Sequence, residues 1–249
     1  MRIVPALLIL LQIIPLRGAE EPRVYEMRTY FANDGKLDAL HARFRDHTMA
    51  LFEKHGMTNI GYWVPAPNPE NALVYLVSYP DRAVRRKAWK EFLADPDWKA
   101  AYKASIEGGK LVAKIENRFM TPAGYSAPLK IEAQEPPRLF ELREYSTREG
   151  KLPDIHKRFR DHTCALFQKH GITNIIYFDL MDDQERADDL LVYLIAHKDA
   201  EAREASFDAF RKDPAWIAAR DASQKTGPIL VPKGVKSTLL QPTDYSPLR

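Results

Sequence analysis

The sequence predicts an α+β fold: two ferredoxin-like β-α-β-β-α-β units in tandem, packed sheet to sheet as an α+β barrel within one chain. Three observations carry this expectation. A twenty-residue segment, His41–Ile60, returns as His156–Ile175 with differences only at 42/157, 49/164, 53/168 and 57/172. Unrelated segments would share about one residue, so the chain is a duplication, and repeats are read before anything else. Strand and helix signals then follow one order in both copies. Finally, Leu73–Val77 and Leu190–Ile195 are apolar at every position, whereas a sheet wetted on one face alternates apolar with polar. Helices cover one face of each sheet; the other copy's sheet covers the second.

The elements follow in order. Val24–Tyr30 sets Tyr25, Met27 and Thr29 against Glu26, Arg28 and Tyr30, the period of two of a strand. Lys36–His55 carries Leu37, Leu40, Phe44, Leu51 and Phe52 on one helical stripe and stops at Gly56, a residue that tolerates the backbone turn ending a helix. Asn59–Val64 is a short aromatic and β-branched strand before Pro65-Ala-Pro67, and Ala72–Tyr79 is the next strand. A helix follows from Asp81 to Leu93, and Asp95-Pro96 starts another: the aspartate caps free amides and the proline fits the first turn. Leu111–Met120 closes the unit as a strand, giving the ferredoxin-like order. The second copy runs from Leu139 to Leu240. Its offset grows from 115 to 118 and then 120 residues, so length changes fall in loops. Trp89, Trp98, Tyr102, Phe207 and Trp216 recur at helical spacing and read as core.

The expected organisation is a signal peptide at 1–19, a first unit at 20–126, a Pro-containing linker at 127–137 and a second unit at 138–249. Met1-Arg2 followed by the apolar run Ile3–Leu16 suits a secretory leader and is too short and interrupted for a good membrane span. Export to a periplasm or the medium is therefore expected, with an uncleaved signal anchor as the alternative. Losing residues 1–19 removes Arg2 and Arg17, and the net charge falls from +3 to +1. Basic residues are interspersed with acids, so no nucleic-acid footprint forms. Cys164 is the sole cysteine, which excludes an internal disulfide.

Two constellations are candidates for chemistry. Glu26-x-Arg28-x-Tyr30 and Glu141-x-Arg143-x-Tyr145 each place an acid, a cation and a phenol on one strand face. Turned into the barrel, they would bind an anionic or carbonyl-bearing molecule, arginine holding charge and Tyr or Glu moving protons; Glu–Arg pairing between strands is the plainer reading. The duplicated histidines are His41/His156, His47/His162 and His55/His170. His41 and His55 stand about 21 Å apart along a helix, and no pair has the spacing that holds a metal on one helix. His47 and His162 are the acid/base candidates, because histidine titrates near neutrality; a polar surface cluster is the plainer reading there.

Tyr25-Glu-Met-Arg-Thr-Tyr30, Arg43-Phe-Arg-Asp-His-Thr48 and Lys54-His-Gly56 resemble the NIPSNAP family, over about nine-tenths of the chain beyond its leader. The resemblance implies the dimeric α+β barrel superfamily, and it carries no agreed reaction or catalytic residues. The reading is an exported domain that binds a small molecule or a protein partner, with no cofactor or metal assigned and further homo-oligomerisation left open. The alternative is a small barrel enzyme, cofactor-independent monooxygenase or isomerase-like, acting on an anionic or carbonyl-bearing metabolite. A haem-using version with a lone axial histidine would show a Soret band.

Overall fold

The structure, a computed structural model, describes residues 23–249; the expected leader lies outside them. The first unit comprises β1 (Val24–Ala32), α1 (Leu37–Arg43), α2 (Met49–Lys54), β2 (Thr58–Pro65), β3 (Ala72–Tyr79), α3 (Arg82–Ala94), α4 (Pro96–Ser105) and β4 (Val112–Pro122). The second comprises β5 (Leu139–Thr147), α5 (Leu152–Arg158), α6 (Cys164–Lys169), β6 (Thr173–Leu180), β7 (Leu190–His197), α7 (Ala200–Lys212), α8 (Pro214–Ser223) and β8 (Leu230–Pro242). Asp95 and Asp213 cap α4 and α8 through the amides of Asp97 and Ala215. Gly56 and Gly171 sit at φ +78°, a left-handed conformation in which a Cβ would be strained.

One helix differs from its periodicity. Between α1 and α2 the backbone widens into a π-helical turn over Phe44–Thr48, and between α5 and α6 over Phe159–Thr163. Thr48 is buried there and returns its hydroxyl to the Arg43 carbonyl at 3.0 Å. Apolar periodicity does not signal such a turn, because i+4 and i+5 contacts both keep a stripe on one side. Turns of this kind recur at functional sites.

The eight strands close in the order β1-β3-β2-β8-β5-β7-β6-β4. Two antiparallel four-stranded sheets meet at two short seams. Met120, Thr121 and Pro122 pair with Leu180, Asp179 and Phe178 at one, and Trp63, Val64 and Pro65 with Pro242, Gln241 and Leu240 at the other. Every residue of β3 and β7 is buried, as the unbroken apolarity of Leu73–Val77 and Leu190–Ile195 requires; Ser78 and His197 are the polar exceptions near their ends. Inside the barrel Tyr25, Met27 and Trp63 pack with Phe140, Leu142 and Phe178. The sheets also meet through charge near one end, where buried Glu144 pairs with Arg118 and, at 3.1 Å, with Lys236.

The core is adjusted residue by residue across the repeat. Trp63 lies over Gly61, where an added Cβ would come within 2.2 Å of the indole. The corresponding pair in β6 is Ile176 and Phe178: the larger ring is matched by the missing side chain. Beyond each last strand an arm crosses to the other unit. The Ser246 hydroxyl accepts from the Tyr62 amide at 2.9 Å and that of Ser126 from the Tyr177 amide at 3.0 Å. Leu248 enters the barrel core with no exposed surface. The 127–137 strap follows the same path, its Gln134 amide donating to the Arg249 carbonyl at 2.8 Å.

Candidate functional site

The structure turns the Glu26, Arg28, Tyr30 face, and with it Glu141, Arg143, Tyr145, toward the helices. The barrel interior takes Tyr25 and Met27 instead, which corrects the expectation of an inward-facing triad. The reason is satisfaction of charge. Inside the barrel Glu26 would meet apolar side chains, whereas α3 brings Arg85 over it. Arg85 donates to both carboxylate oxygens at 3.0 and 2.9 Å, Arg28 adds a bond at 2.6 Å and Tyr79 one at 3.1 Å. Trp89 in turn donates to the Tyr79 hydroxyl at 2.8 Å. Burial alone would raise the Glu26 carboxyl, but Arg85 and Arg28 outweigh it and hold it below the usual carboxylate range. Such a carboxylate is a fixed anion and a poor base near neutral pH.

Beside this cluster lies a cavity of about 600 Å³ between the sheet and helices α3 and α4, within the roughly 300–1,000 Å³ common for small-molecule sites. Its floor carries Arg28 and Tyr30; the π-helical turn contributes Phe44 and Thr48; Trp89, Phe92 and Trp98 form the helix side. Trp89 and Trp98 pack against the core as expected and also wall the cavity, whereas Tyr102, expected in the core as well, stands at the mouth, 41% exposed, with Leu93 at 53%. Arg28 lies over the Trp89 ring at 4.5 Å, a cation–π contact that holds the guanidinium against the wall.

Three polar groups, two on the cavity wall (Arg28 and Arg43) and one in the core behind it (Tyr75), lack the partners that burial normally demands. Arg28 Nε and the Tyr75 hydroxyl make no hydrogen bond. Arg43, 6% exposed, faces the Trp98 and Tyr102 rings at 5.4 and 5.5 Å, touches the Ser105 hydroxyl at 3.3 Å and meets no carboxylate among the described residues. Burial pushes its guanidinium pKa down. Of the basic residues lining the cavity, Arg28 and Arg85 share the Glu26 carboxylate and Lys114 pairs with Glu116, whereas Arg43 meets aromatic rings and no carboxylate among the described residues.

Against known proteins, the NIPSNAP family profile matches residues 25–127 and 140–247. The chain belongs to the NIPSNAP family. A NIPSNAP family protein of unknown function from Agrobacterium tumefaciens is 25% identical over 45% of this chain and 97% of its own, with a TM-score of 0.39; it spans a single unit. Over the whole length, the chain is similar to a candidate monooxygenase from Fusobacterium nucleatum, 14% identical over 89% of this chain and 92% of that one, TM-score 0.57. An anthrone oxidase-like protein is 11% identical over 90% and 92%, TM-score 0.57. At these identities the likeness is one of fold. Among curated proteins none matches.

The histidines lie apart from the walls of the first unit's cavity, while His162 borders the small hollow beside Arg158 in the second unit. His47 and His162 are exposed on their helices. His41 Nδ1 meets the Tyr245 hydroxyl at 2.7 Å, and His156 Nδ1 that of Tyr125 at 3.1 Å, so this pair anchors the crossing arms. His55 and His170 hold the capping carboxylates of Asp95 and Asp213 at 2.7 Å. Sequence reading passed over the seventh histidine. His197 is buried beside Glu141, its Nε2 3.2 Å from the carboxylate, at the place of Tyr79; the 118-residue offset that aligns the strands would have found it. Around Glu141, Arg203 donates at 2.6 and 3.1 Å, Ser237 at 2.5 Å, and Arg143 pairs as well. Burial would raise this carboxyl, but His197 and the arginines hold it well below the usual range. Burial pushes the Cys164 thiol up, away from reactivity.

Proposed function

We propose that this NIPSNAP protein binds a small molecule in the cavity of its first unit, and that the ligand carries an anionic or carbonyl group. One observation supports this above the others. A cavity of ligand size places the Arg28 guanidinium and the uncompensated Arg43 guanidinium among aromatic walls. A buried guanidinium needs acceptors, and a carboxylate, enolate or carbonyl oxygen supplies them. Binding is better supported than a reaction: Glu26 is locked between two arginines, and the titratable His47 stands outside the enclosed space. Export before ligand capture is part of the proposal, on the strength of the basic start and apolar run of residues 1–16.

The test is a thermal-shift screen of carboxylate and carbonyl metabolites on the purified protein, its Arg28→Gln variant and its His47→Ala/His162→Ala variant. Shifts lost with Arg28→Gln and kept without the histidines are expected. Shifts that survive the arginine change and vanish with the histidines would overturn the assignment. Recovery of intact Met1 on protein retained in the cytoplasm would remove the export component.

A further inference from the structure

The two units hold equivalent frameworks, but the residues around the cavity differ between them in one direction. Leu93, Tyr102 and Ile106 line the first cavity; their counterparts, 118 residues on, are Arg211, Arg220 and Gln224, and Trp89 is replaced by Phe207. The new charges are engaged locally, Arg220 with Asp221 at 2.8 Å and Arg211 with Asp208. Space follows composition. In place of one cavity of about 600 Å³, the second unit has a hollow of about 330 Å³ beside Arg143 and another of about 300 Å³ beside Arg158.

Hydrogen bonding diverges in the same sense. Arg143 donates through Nε to the Tyr193 hydroxyl at 2.8 Å, through Nη2 to Tyr145 at 3.0 Å and through Nη1 to Glu141. Arg28 has Glu26 at 2.6 Å and a long 3.4 Å contact to Tyr30, and both its Nε and the Tyr75 hydroxyl stay unpartnered. A buried donor without an acceptor is costly; at this one position the second unit satisfies it and the first does not, whereas the Nε atoms of Arg43 and its counterpart Arg158 are unpartnered alike. Arg28 lines an aromatic-walled cavity; Arg143 lies beside a hollow bordered by Arg203, Glu204, Asp208 and Arg211.

We infer that the duplication has left one ligand site per chain, in the first unit, with the second unit serving as its closed structural half. The ligand of that site is a flat, largely apolar molecule bearing a single anionic or carbonyl group. Its flat body lies among Trp89, Phe92 and Trp98, and its acceptor meets the guanidinium of Arg28, which lines the cavity. This inference rests on the small-molecule reading and narrows it in stoichiometry and chemical class.

The probe pair is 8-anilinonaphthalene-1-sulfonate and its uncharged analogue N-phenyl-1-naphthylamine, titrated into the full protein by calorimetry and by energy transfer from Trp89 and Trp98. One sulfonate probe per chain is expected, with the uncharged analogue about tenfold weaker, the equivalent of one charge-assisted contact, and that preference erased by Arg28→Gln. Leu93→Arg/Tyr102→Arg copies the second unit's rim at exposed positions and should weaken binding at least tenfold with an unchanged circular dichroism spectrum. Should the pair of changes disturb folding, Leu93→Arg alone gives the same readout. Two equivalent probes per chain, or one probe indifferent to these rim changes, would overturn the single-site inference while leaving small-molecule binding in place. No bound probe at all would overturn the small-molecule reading itself.

Discussion

Replacing Tyr75 and Tyr193 by phenylalanine, one at a time, deletes the same hydroxyl from equivalent strands and should give different results. Both rings are fully buried and both stack on a neighbour, Tyr75 on Tyr62 and Tyr193 on Tyr177, so the change in ring packing is the same. The Tyr193 hydroxyl accepts from Arg143 Nε at 2.8 Å, and a hydrogen bond to a charged group contributes about 1.5–3 kcal/mol. Arg143 is only 12% exposed and cannot readily turn to water, so Tyr193→Phe should cost about 2 kcal/mol. The Tyr75 hydroxyl has no partner; deleting it removes a desolvated group, and Tyr75→Phe should lie between neutral and about 1 kcal/mol more stable. Urea denaturation followed by circular dichroism and tryptophan fluorescence separates the cases. With a slope of about 3 kcal/mol per M, 2 kcal/mol moves the midpoint by roughly 0.7 M. Equal midpoints for the two variants, or a larger loss at Tyr75, would refute the reasoning from hydrogen-bond satisfaction and with it the claim that the two units have diverged.

Glu26→Gln leaves Arg28 and Arg85 without their shared anion and should cost about 3 kcal/mol, read as a melting temperature lower by roughly 6–12 °C; a shift under 2 °C would show the cluster to be loosely held. The folded carboxyls of Glu26, Glu141 and Glu144 lie below the 4.5 of the free side chain, so their stabilisation is complete above that value and is lost as the pH falls through the folded values. Melting temperature should therefore decline in acid, less steeply for Glu26→Gln than for the parent; parallel curves would count against the assignment. Gly61→Ala should destabilise by about 1–3 kcal/mol through overpacking against Trp63, with Trp63→Phe recovering part of the loss, and additive effects of the two would exclude the proposed coupling. Leu248→Ala should cost about 2–4 kcal/mol as a core truncation, because the arm closes the barrel; a neutral result in denaturant titration would mean the arm merely rests on the surface.

Much of this protein was legible in its residues. The near-identity of His41–Ile60 and His156–Ile175 required two copies of one unit, the period-two and helical stripes gave the order of elements, and the unbroken apolarity of Leu73–Val77 demanded a second covering sheet. These follow from local geometry: side-chain periodicity and the need to bury apolar surface act within a segment or between segments of known character. Which face of β1 looks inward was decided elsewhere. Alternation separates Glu26, Arg28 and Tyr30 from Tyr25 and Met27, but it cannot say which set meets the other sheet and which meets Arg85 and Trp89. The π-helical turn at Phe44–Thr48, the seating of Trp63 over Gly61, and the difference between an unpartnered Arg28 Nε and a satisfied Arg143 Nε likewise depend on neighbours far apart in the chain. Sequence fixes which groups must be satisfied or buried; only the closed barrel, by setting distances between strands and helices, determines which of them are satisfied by the protein and which are left facing a cavity.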